Sequence, residues 1–441
     1  MSSTETSVRG GTTATLANRA ERQIGVDVAR GVALLGMIAV HVFDTFDKHG
    51  EPTLATEIAA GRASTLFAFV AGISLAFLSG GRRSLDGRGR VAASVGIAIR
   101  GLLIGAVGLL LGDVLGSATD VELILPYYAL LYLLAIPLLW LPPRTLVVIS
   151  AGLIAVAPVV VLTALGGSTP ASTGPNGNPT FATLFADPGG LFAALLVTGY
   201  YPVLAYLAYL CAGLAIGRLD LSSRRLATWL LGGGLAMAVT ARLVSAVVLF
   251  RLGGLDTLLE NVDDSDSDSA ARNELLWDSD PSSSIWYLAV PSPHSTTPID
   301  LLHTLGSAMA VLGAALLLCR VAVLARLLRP LAAAGAMTLT LYTAHLVVLA
   351  TGVLDDAPQV LYVLLVVGAL AFGFYWQRRF GQGPLERLVA EVAGRARLAV
   401  AARPARDPHD AGRPAPSSTA TPAPMSPGTE LAIRPPSNPP R

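Results

Sequence analysis

The chain has 441 residues, of which 53% are hydrophobic and only 14% are charged. Soluble domains carry about a quarter charged residues, so this composition favours an integral membrane protein. With a formal net charge of +1, the chain has no global basic field that would point to nucleic acid. Both cysteines, Cys211 and Cys319, lie inside apolar runs and predict neither a disulfide nor a metal framework.

Residues 1–24 are rich in Ser and Thr and lack the apolar core of a cleavable signal, which predicts a disordered cytoplasmic N-terminus. Residues 25–390 predict a transmembrane domain, because apolar runs of about 20 residues, the length that spans a bilayer, follow one another. The predicted fold class is all-α, a polytopic membrane protein with about ten transmembrane helices. The ten predicted spans are 28–45, 63–80, 91–113, 122–141, 145–166, 190–217, 226–250, 300–320, 331–354 and 358–377.

The connections between these spans alternate in charge. Arginines precede the first span, occupy every second connection and follow the last span, as Arg88, Arg90 and Arg379 illustrate. The other connections are acidic or neutral, as at Asp44 and Asp355. Since cationic side chains prefer the cytoplasmic flank, the pattern predicts a protein of the plasma (inner) membrane with both termini in the cytoplasm.

Two outer connections are long, at residues 167–189 and 251–299. The segment 391–441 is rich in Pro and Ala and ends in "PPSNPPR". Such a composition cannot bury a core, which predicts a disordered cytoplasmic tail.

The first span carries ionisable groups, which are rare in membranes and usually face a partner or a cavity. Asp27 and Arg30 are three residues apart and can pair on one helix face. His41 lies eleven positions beyond Arg30, about 16 Å along a helix, and so belongs near the outer end. Asp44 follows it by three positions and is positioned to orient the imidazole as a general base.

Other polar residues fall at similar depths. Three further histidines, His294, His303 and His345, lie at the outer ends of spans or just outside them. Arg62 begins the second span on the outer side, Arg100 lies near mid-membrane, and Tyr342 lies one turn before His345. No pair of histidines has the spacing of helical zinc ligands, so no metal is expected.

Several of these segments resemble one family. "VDVARGVALLGMIAVH", "GRASTLFAFVAGISLAFLSG", "YPVLAYLAYLCAGLAIGRLDL", "PHSTTPIDLLHTLGSAMAVLG", "AGAMTLTLYTAHLVV" and "GQGPLERL" are similar, in this order, to segments of the heparan-α-glucosaminide N-acetyltransferase-like membrane proteins, in their bacterial branch. The resemblance covers about residues 25–390. Eukaryotic members carry Asn where this chain has His41, and a Pro-Trp pair where it has Ala205 and Tyr206.

The resemblance implies a membrane acyltransferase that moves an acyl group, expected to be acetyl, from cytoplasmic acyl-CoA to a sugar-like amine or hydroxyl on the outer side. It implies acetyl-CoA or another acyl-CoA as the donor substrate, with a glycan-like acceptor and membrane lipids as partners and homo-oligomerisation left open. The candidate catalytic residues are His41, Asp44, His294, His303 and His345. The candidate donor-binding residues are Asp27, Arg30, Arg62, Arg100 and Tyr342.

Two other functions fit the same sequence. About ten spans with buried arginines also suit a transporter or flippase of a small polar or lipid-linked molecule. A membrane scaffold or sensor is the third interpretation. Binding or hydrolysis of acetyl-CoA would separate the first function from the other two.

Overall fold

The computed structural model describes residues 5–81, 85–116, 118, 121–166, 177–260, 268–279 and 281–402, with side chains from Ile24. These ranges form α-helices and their connections and contain no β-strand. The helices are α1 Glu5–Val42, α2 Leu54–Ala59, α3 Arg62–Leu78, α4 Gly87–Leu115, α5 Leu125–Leu138, α6 Pro143–Leu165, α7 Phe181–Ala186, α8 Pro188–Ala193, α9 Val203–Gly217, α10 Arg224–Arg251, α11 Gly254–Leu259, α12 Asp268–Trp277, α13 Pro298–Leu318, α14 Ala322–Leu327, α15 Arg329–Gly335, α16 Thr338–Leu349, α17 Pro358–Phe380 and α18 Pro384–Ala402.

Within the described ranges, seven helical segments are long and apolar enough to cross a membrane, and two bent helix pairs raise that number to nine. The shorter apolar helix α5 makes a tenth segment. Each predicted span falls on one of these segments, and the prediction of an all-α polytopic membrane protein is confirmed. The seven are Ile24–Val42, Leu54–Leu78, Gly87–Leu115, Pro143–Leu165, Arg224–Arg251, Pro298–Leu318 and Pro358–Phe380.

The two bent pairs place irregular backbone inside the bundle. The segment Pro188–Thr198 meets α9 at an angle of 57°, where Gly199 and Pro202 interrupt the helix. Helix α15 meets α16 at 83°, and Gly335 at that break lies so close to α1 that a Cβ would overlap the Asp27 carbonyl oxygen. Irregular backbone at membrane depth is tolerated where protein or a cavity surrounds it. Both breaks therefore mark places where a site can form.

Helix α1 runs through the middle of the bundle and defines its two ends. Its Arg30 end lies beside α15 and α18, and its His41 end lies beside the connections that follow α1, α4, α12 and α16. Most of its residues between Val26 and Ala39 are buried against α3, α13 and α15. Side chains from both ends of this helix therefore project among other helices as well as towards lipid.

The described helices extend beyond the predicted transmembrane domain, residues 25–390. Helix α1 begins at Glu5, within the segment 1–24 for which the sequence predicts disorder. Helix α18 continues to Ala402, beyond the predicted boundary at residue 390, because Val389 and Ala393 share one face and are buried. The predicted tail from 403 to 441 lies outside the described residues. The long connection 251–299 contains α11 and α12, and 167–189 contains α7.

Candidate active site

A first cavity, of about 280 Å³, lies at the Arg30 end between α1, α4, α5 and α16. Arg30 lines it and is held from two sides. One guanidinium nitrogen lies 2.5 Å from the Asp27 carboxylate, and the other donates to Ser74 Oγ on α3 at 2.6 Å. The spacing of Asp27 and Arg30 predicts this pair. It fixes the Arg30 charge at the wall of the cavity instead of letting it reach the membrane surface.

Arg100 lines the same cavity from α4. It makes no hydrogen bond or ion pair with another described residue and is only partly buried. A smaller cavity of about 150 Å³ continues from Arg100 between α4 and α18, where Arg397 also lines it. An arginine that no carboxylate neutralises suits the binding of an anion such as a phosphate.

Two tyrosine hydroxyls in the first cavity lack partners. The Tyr128 and Tyr342 hydroxyl oxygens are fully buried and form no hydrogen bond with the described residues. Both tyrosines line the cavity. Leaving a buried polar group without a partner costs about 1–3 kcal/mol. These hydroxyls are therefore suited to a polar ligand inside the cavity.

Helix α18 closes the Arg30 end of this cavity. The Glu386 carboxylate accepts hydrogen bonds from the Leu339 and Thr340 backbone N–H groups, at 2.7 and 3.1 Å, and from the Thr340 hydroxyl at 2.6 Å. These groups form the first turn of α16, whose N–H groups have no partner within the helix. Glu386 thus caps α16 at the bend and fixes α18 against it.

At the other end of α1, His41 forms a hydrogen bond with His345 of α16. His41 Nδ1 and His345 Nε2 are 3.0 Å apart, and the two ring planes are within 11° of parallel with centroids 5.3 Å apart, so the rings lie nearly edge to edge. His345 Nδ1 lies 3.2 Å from the Leu341 carbonyl oxygen, which can only accept. In the neutral pair, His345 Nε2 must therefore accept from His41 Nδ1, and this leaves His41 Nε2 without a proton.

A second chain of hydrogen bonds sets the tautomer of His294. Ser64 donates to the Gly61 carbonyl at 3.0 Å, so its oxygen accepts from the Tyr206 hydroxyl, also at 3.0 Å. The Tyr206 oxygen then accepts from His294 Nδ1 at 3.3 Å. His294 Nε2 is left without a proton. Burial also lowers the pKa of His294 to about 4, which keeps the ring neutral near pH 7.

Both histidines line a second cavity, of about 560 Å³, at the His41 end. Neither Nε2 forms a hydrogen bond with a described residue. Of the described residues around this cavity, none is Arg or Lys, whereas four are carboxylic acids. Burial raises the pKa of one of them, Glu122, to about 7. The acids are Asp44, Glu122, Asp278 and Asp355, and the aromatic residues are Phe43, Tyr200, Tyr201 and Trp277.

A thin layer of side chains separates the two cavities. Tyr342 lines the first cavity, and its ring centroid lies 6.0 Å from that of His41, which lines the second. Met37 lines the first cavity and Val40 the second, one helical turn apart on α1. A group that enters from the Arg30 end and a group that enters from the His41 end would therefore meet beside His41.

Comparisons with known proteins agree with this architecture. Residues 22–246 match the family model described as "Heparan-alpha-glucosaminide N-acetyltransferase, catalytic". That match covers 225 of the 441 residues. The chain belongs to this family. Residues 281–395 match a second family model, described as "Protein of unknown function (DUF418)". No curated protein and no solved structure matches the chain.

The N-acetyltransferase family match covers α1 to most of α10, whereas the second match covers α13 to α18. Each cavity takes residues from both matched regions: Arg30 and Glu386 line the first, and His41 and His294 line the second. The chain is therefore a membrane protein of an acetyltransferase family in which the two regions share the candidate site.

Two of the candidate residues lie elsewhere. His303 Nε2 accepts from Arg62 Nε at 3.0 Å, and its Nδ1 donates to the Ala238 carbonyl oxygen at 3.1 Å. With both ring nitrogens occupied, neutral His303 has no free nitrogen to act as a base. Arg62 does not line the Arg30 cavity, so the structure does not bring it to the other candidate donor-binding residues.

Asp44 lines the His41 cavity but is not the hydrogen-bond partner of His41, a place that His345 takes. Four further residues emerge only from the structure: Ser64 and Tyr206 beside His294, Glu122 in the cavity, and Tyr128 in the first cavity. In the sequence, "YPVLAYLAYL" contains Tyr206, but nothing in it indicates contact with a histidine 88 positions away.

Among the described residues, no group of three or more His, Cys, Asp and Glu side chains could hold a metal ion.

Proposed function

We propose that this protein transfers an acetyl group from acetyl-CoA to the primary amine of an amino-sugar-like acceptor. The observation that carries the proposal is the approach of two chemically different cavities to opposite sides of the Tyr342–His41 contact. The first cavity carries unneutralised positive charge at Arg100, and the second carries only acidic and neutral side chains. An acetyltransferase needs such a pair, with one site for an anionic donor and another for a cationic acceptor.

The donor fits the first cavity by charge and by hydrogen bonding. The phosphates of acetyl-CoA would bind at the Arg100 and Arg397 end, where the cavity opens between α4 and α18. The acyl-pantetheine arm is narrow and carries amides, for which the Tyr128 and Tyr342 hydroxyls are available partners. The thioester would then lie at the Tyr342 end, next to His41.

The acceptor fits the second cavity. Four carboxylic acids favour a protonated amine over a neutral hydroxyl, and Tyr200, Tyr201 and Trp277 provide aromatic faces of the kind that pack against a sugar ring. A protonated amine cannot attack a carbonyl carbon, so the site must also supply a base. His41 Nε2 and His294 Nε2 are the two unprotonated nitrogens in this cavity.

The chemistry follows from these positions. The acceptor ammonium first loses one proton, through His294 Nε2, to water at the outer side. The neutral amine nitrogen then attacks the thioester carbonyl carbon while His41 Nε2 takes a second proton from that nitrogen. The carbon–sulfur bond of the resulting intermediate breaks, and the CoA thiolate receives the proton from the His41 imidazolium. The products are an N-acetyl acceptor and CoA. His345 stabilises the imidazolium through the hydrogen bond from His41 Nδ1 to its Nε2.

The charge pattern supports an orientation for this transfer. Arginines surround the Arg30 end, including Arg90, Arg144 and Arg379, whereas the His41 end carries Asp44, Asp355 and the other acids of the second cavity. Cationic connections face the cytoplasm, where acetyl-CoA is made. The first cavity would then open to the cytoplasm, and the second to the outer side of the cell membrane.

Purified protein in lipid nanodiscs tests the proposal with glucosamine as the probe acceptor. We expect acetyl-CoA to be consumed, free CoA to appear, and N-acetylglucosamine to form in equal amount. A transporter would instead move glucosamine across a vesicle membrane without releasing CoA. Acetyl-CoA that neither binds nor is cleaved, with any amine offered, would contradict the proposed function.

A further inference from the structure

A third cavity, separate from the candidate active site, is an apolar groove of about 730 Å³. It runs along α1 from Val32 to Phe43 and is bounded by α2, α3, α13 and α17. Its mouth is formed by Leu54 and Ile58, which are 72% and 70% exposed. Because these helices lie in the membrane, the groove opens sideways towards the lipid and suits a hydrocarbon chain.

Arg62 supplies the charge in this groove. Its Nε donates to His303, and one terminal nitrogen donates to the Glu57 carbonyl oxygen at 2.7 Å. The other terminal nitrogen forms no hydrogen bond with a described residue. Arg62 begins α3, at the His41 end, whereas Val32 and Leu66 lie deeper in the membrane. The groove is therefore amphipathic, with a fixed cation at its outer end and apolar walls below it.

The short helix α2 borders both the groove and the second cavity. Its Ala55 and Ile58 line the groove, and its Thr56 lines the cavity that contains His41. Phe43 lines both. A molecule whose chain lay in the groove would thus have its polar end directed to the place where the acceptor amine is needed.

We propose that the natural acceptor is a lipid-linked amino sugar. Its apolar chain lies in the groove, its phosphate binds Arg62, and its sugar occupies the His41 cavity. The inference rests on the proposed acetyl transfer and adds the class of acceptor. Three features match three parts of such a molecule: an apolar trough, a guanidinium with free donors, and an acidic cavity with aromatic walls. A cavity of about 560 Å³ is larger than a simple lipid headgroup amine requires and accommodates a sugar.

Three probe acceptors test the contribution of each part: glucosamine 1-phosphate, octyl glucosaminide and farnesyl-phosphoryl glucosamine. Acetylation is measured in nanodiscs by CoA release and product mass. We expect kcat/KM for the farnesyl probe to exceed that for water-soluble glucosamine 1-phosphate by about 100-fold, because the chain partitions from water into the groove. Octyl glucosaminide, which has a chain without phosphate, should fall between the two.

Two variants assign the effect to the groove. Ala55→Trp should fill it and lower the rate with the farnesyl probe by about tenfold, while the rate with glucosamine 1-phosphate is kept. Val363→Trp, on a 57% exposed position of α17 outside the groove, is the matched control and should change neither rate. Arg62→Gln should remove the advantage of the phosphate, and therefore lower kcat/KM for the farnesyl probe more than for octyl glucosaminide, which has no phosphate.

The outcomes separate this inference from the proposed function. Equal kcat/KM for the soluble and farnesyl probes would overturn the lipid-linked acceptor and leave acetyl transfer intact. A preference for the farnesyl probe that Ala55→Trp and Val363→Trp reduce alike would also overturn it, since the chain would then act through general partition into the membrane. Absence of CoA release with all three probes would reject both proposals.

Discussion

His41 Nδ1 and His345 Nε2 lie 3.0 Å apart, and this one hydrogen bond joins α1 to the helix that follows the sharper bend of the chain. His345 is itself fixed by the Leu341 carbonyl, so the direction of the bond is determined and the free nitrogen of His41 is Nε2. His345 is 3% exposed, whereas His41 borders a cavity. His345 is therefore the buried, supporting imidazole, and His41 is the imidazole that a ligand can reach.

The first prediction concerns His41 as the base. His41→Ala should lower kcat by about 10²–10⁴-fold, because a proton acceptor acts in the transition state, with acetyl-CoA affinity preserved. His41→Asn is the more specific variant, since its amide nitrogen can take the place of Nδ1 and donate to His345 but cannot take the proton at neutral pH. Full turnover by the Asn variant, together with loss of turnover in His294→Ala, would move the base to His294.

His345 is predicted to position His41. His345→Ala should lower kcat by about tenfold to a hundredfold, a part of the general-base effect, because His41 loses the acceptor that sets its tautomer. His345→Gln should restore most of the rate, since its amide oxygen can accept the same hydrogen bond. A thermal melt on each variant is the control for folding. An equal loss of kcat in His345→Ala and His345→Gln would mean that packing, rather than the hydrogen bond, explains the effect.

Arg100 is predicted to bind the phosphates of the donor. Arg100→Ala should weaken acetyl-CoA binding at least about tenfold, or 1.4 kcal/mol, measured by isothermal titration calorimetry in detergent. The control is Arg144→Ala, an exposed arginine that follows an even-numbered span and lines neither cavity. Unchanged affinity in a folded Arg100→Ala protein would remove this residue from the donor site.

Glu122 is predicted to give the proposed acceptor site a pH dependence. Its carboxyl group has a pKa raised to about 7 by burial, so it is neutral below that pH and negative above it. The KM for an amine acceptor should therefore fall as the pH rises from 6 to 8. Deprotonation of the amine itself also changes over this range, and Glu122→Gln provides the reference. The ratio of the KM of the unmodified protein to the KM of Glu122→Gln should depend on pH. A ratio that stays constant from pH 6 to 8 would exclude Glu122 from acceptor binding.

Much of the fold was accessible from the sequence because the bilayer imposes a length on each apolar run. The ten predicted spans and the pairing of Asp27 with Arg30 depend on spacing alone, which the sequence records. The depth of a residue follows from the same spacing, which is why His41, His294 and His345 were expected at one level of the membrane.

The direction that each side chain faces around its helix could not be predicted. These helices are apolar on most faces, so periodicity does not indicate which side meets a partner. His303 lies at the end of the membrane that holds His41, yet it faces α10 and Arg62, and only the packing of α13 decides this. Glu122 shows a related limit. In the sequence, Glu122 is an ordinary acidic residue in a connection between two spans. Its burial arises from segments that are far away in the chain.

The last prediction concerns orientation, on which the donor proposal depends. If the arginine-rich end is cytoplasmic, a cysteine introduced at His49, in the connection after α1, should react with a membrane-impermeant maleimide in intact cells. A cysteine in place of Arg224, at the exposed start of α10, should react only after permeabilisation. The native Cys211 and Cys319 are both buried, so unmodified protein serves as the unlabelled control. The opposite labelling pattern would open the Arg100 cavity to the outside, where acetyl-CoA is not supplied. It would therefore contradict the assignment of that cavity to the donor, whatever the histidine variants show.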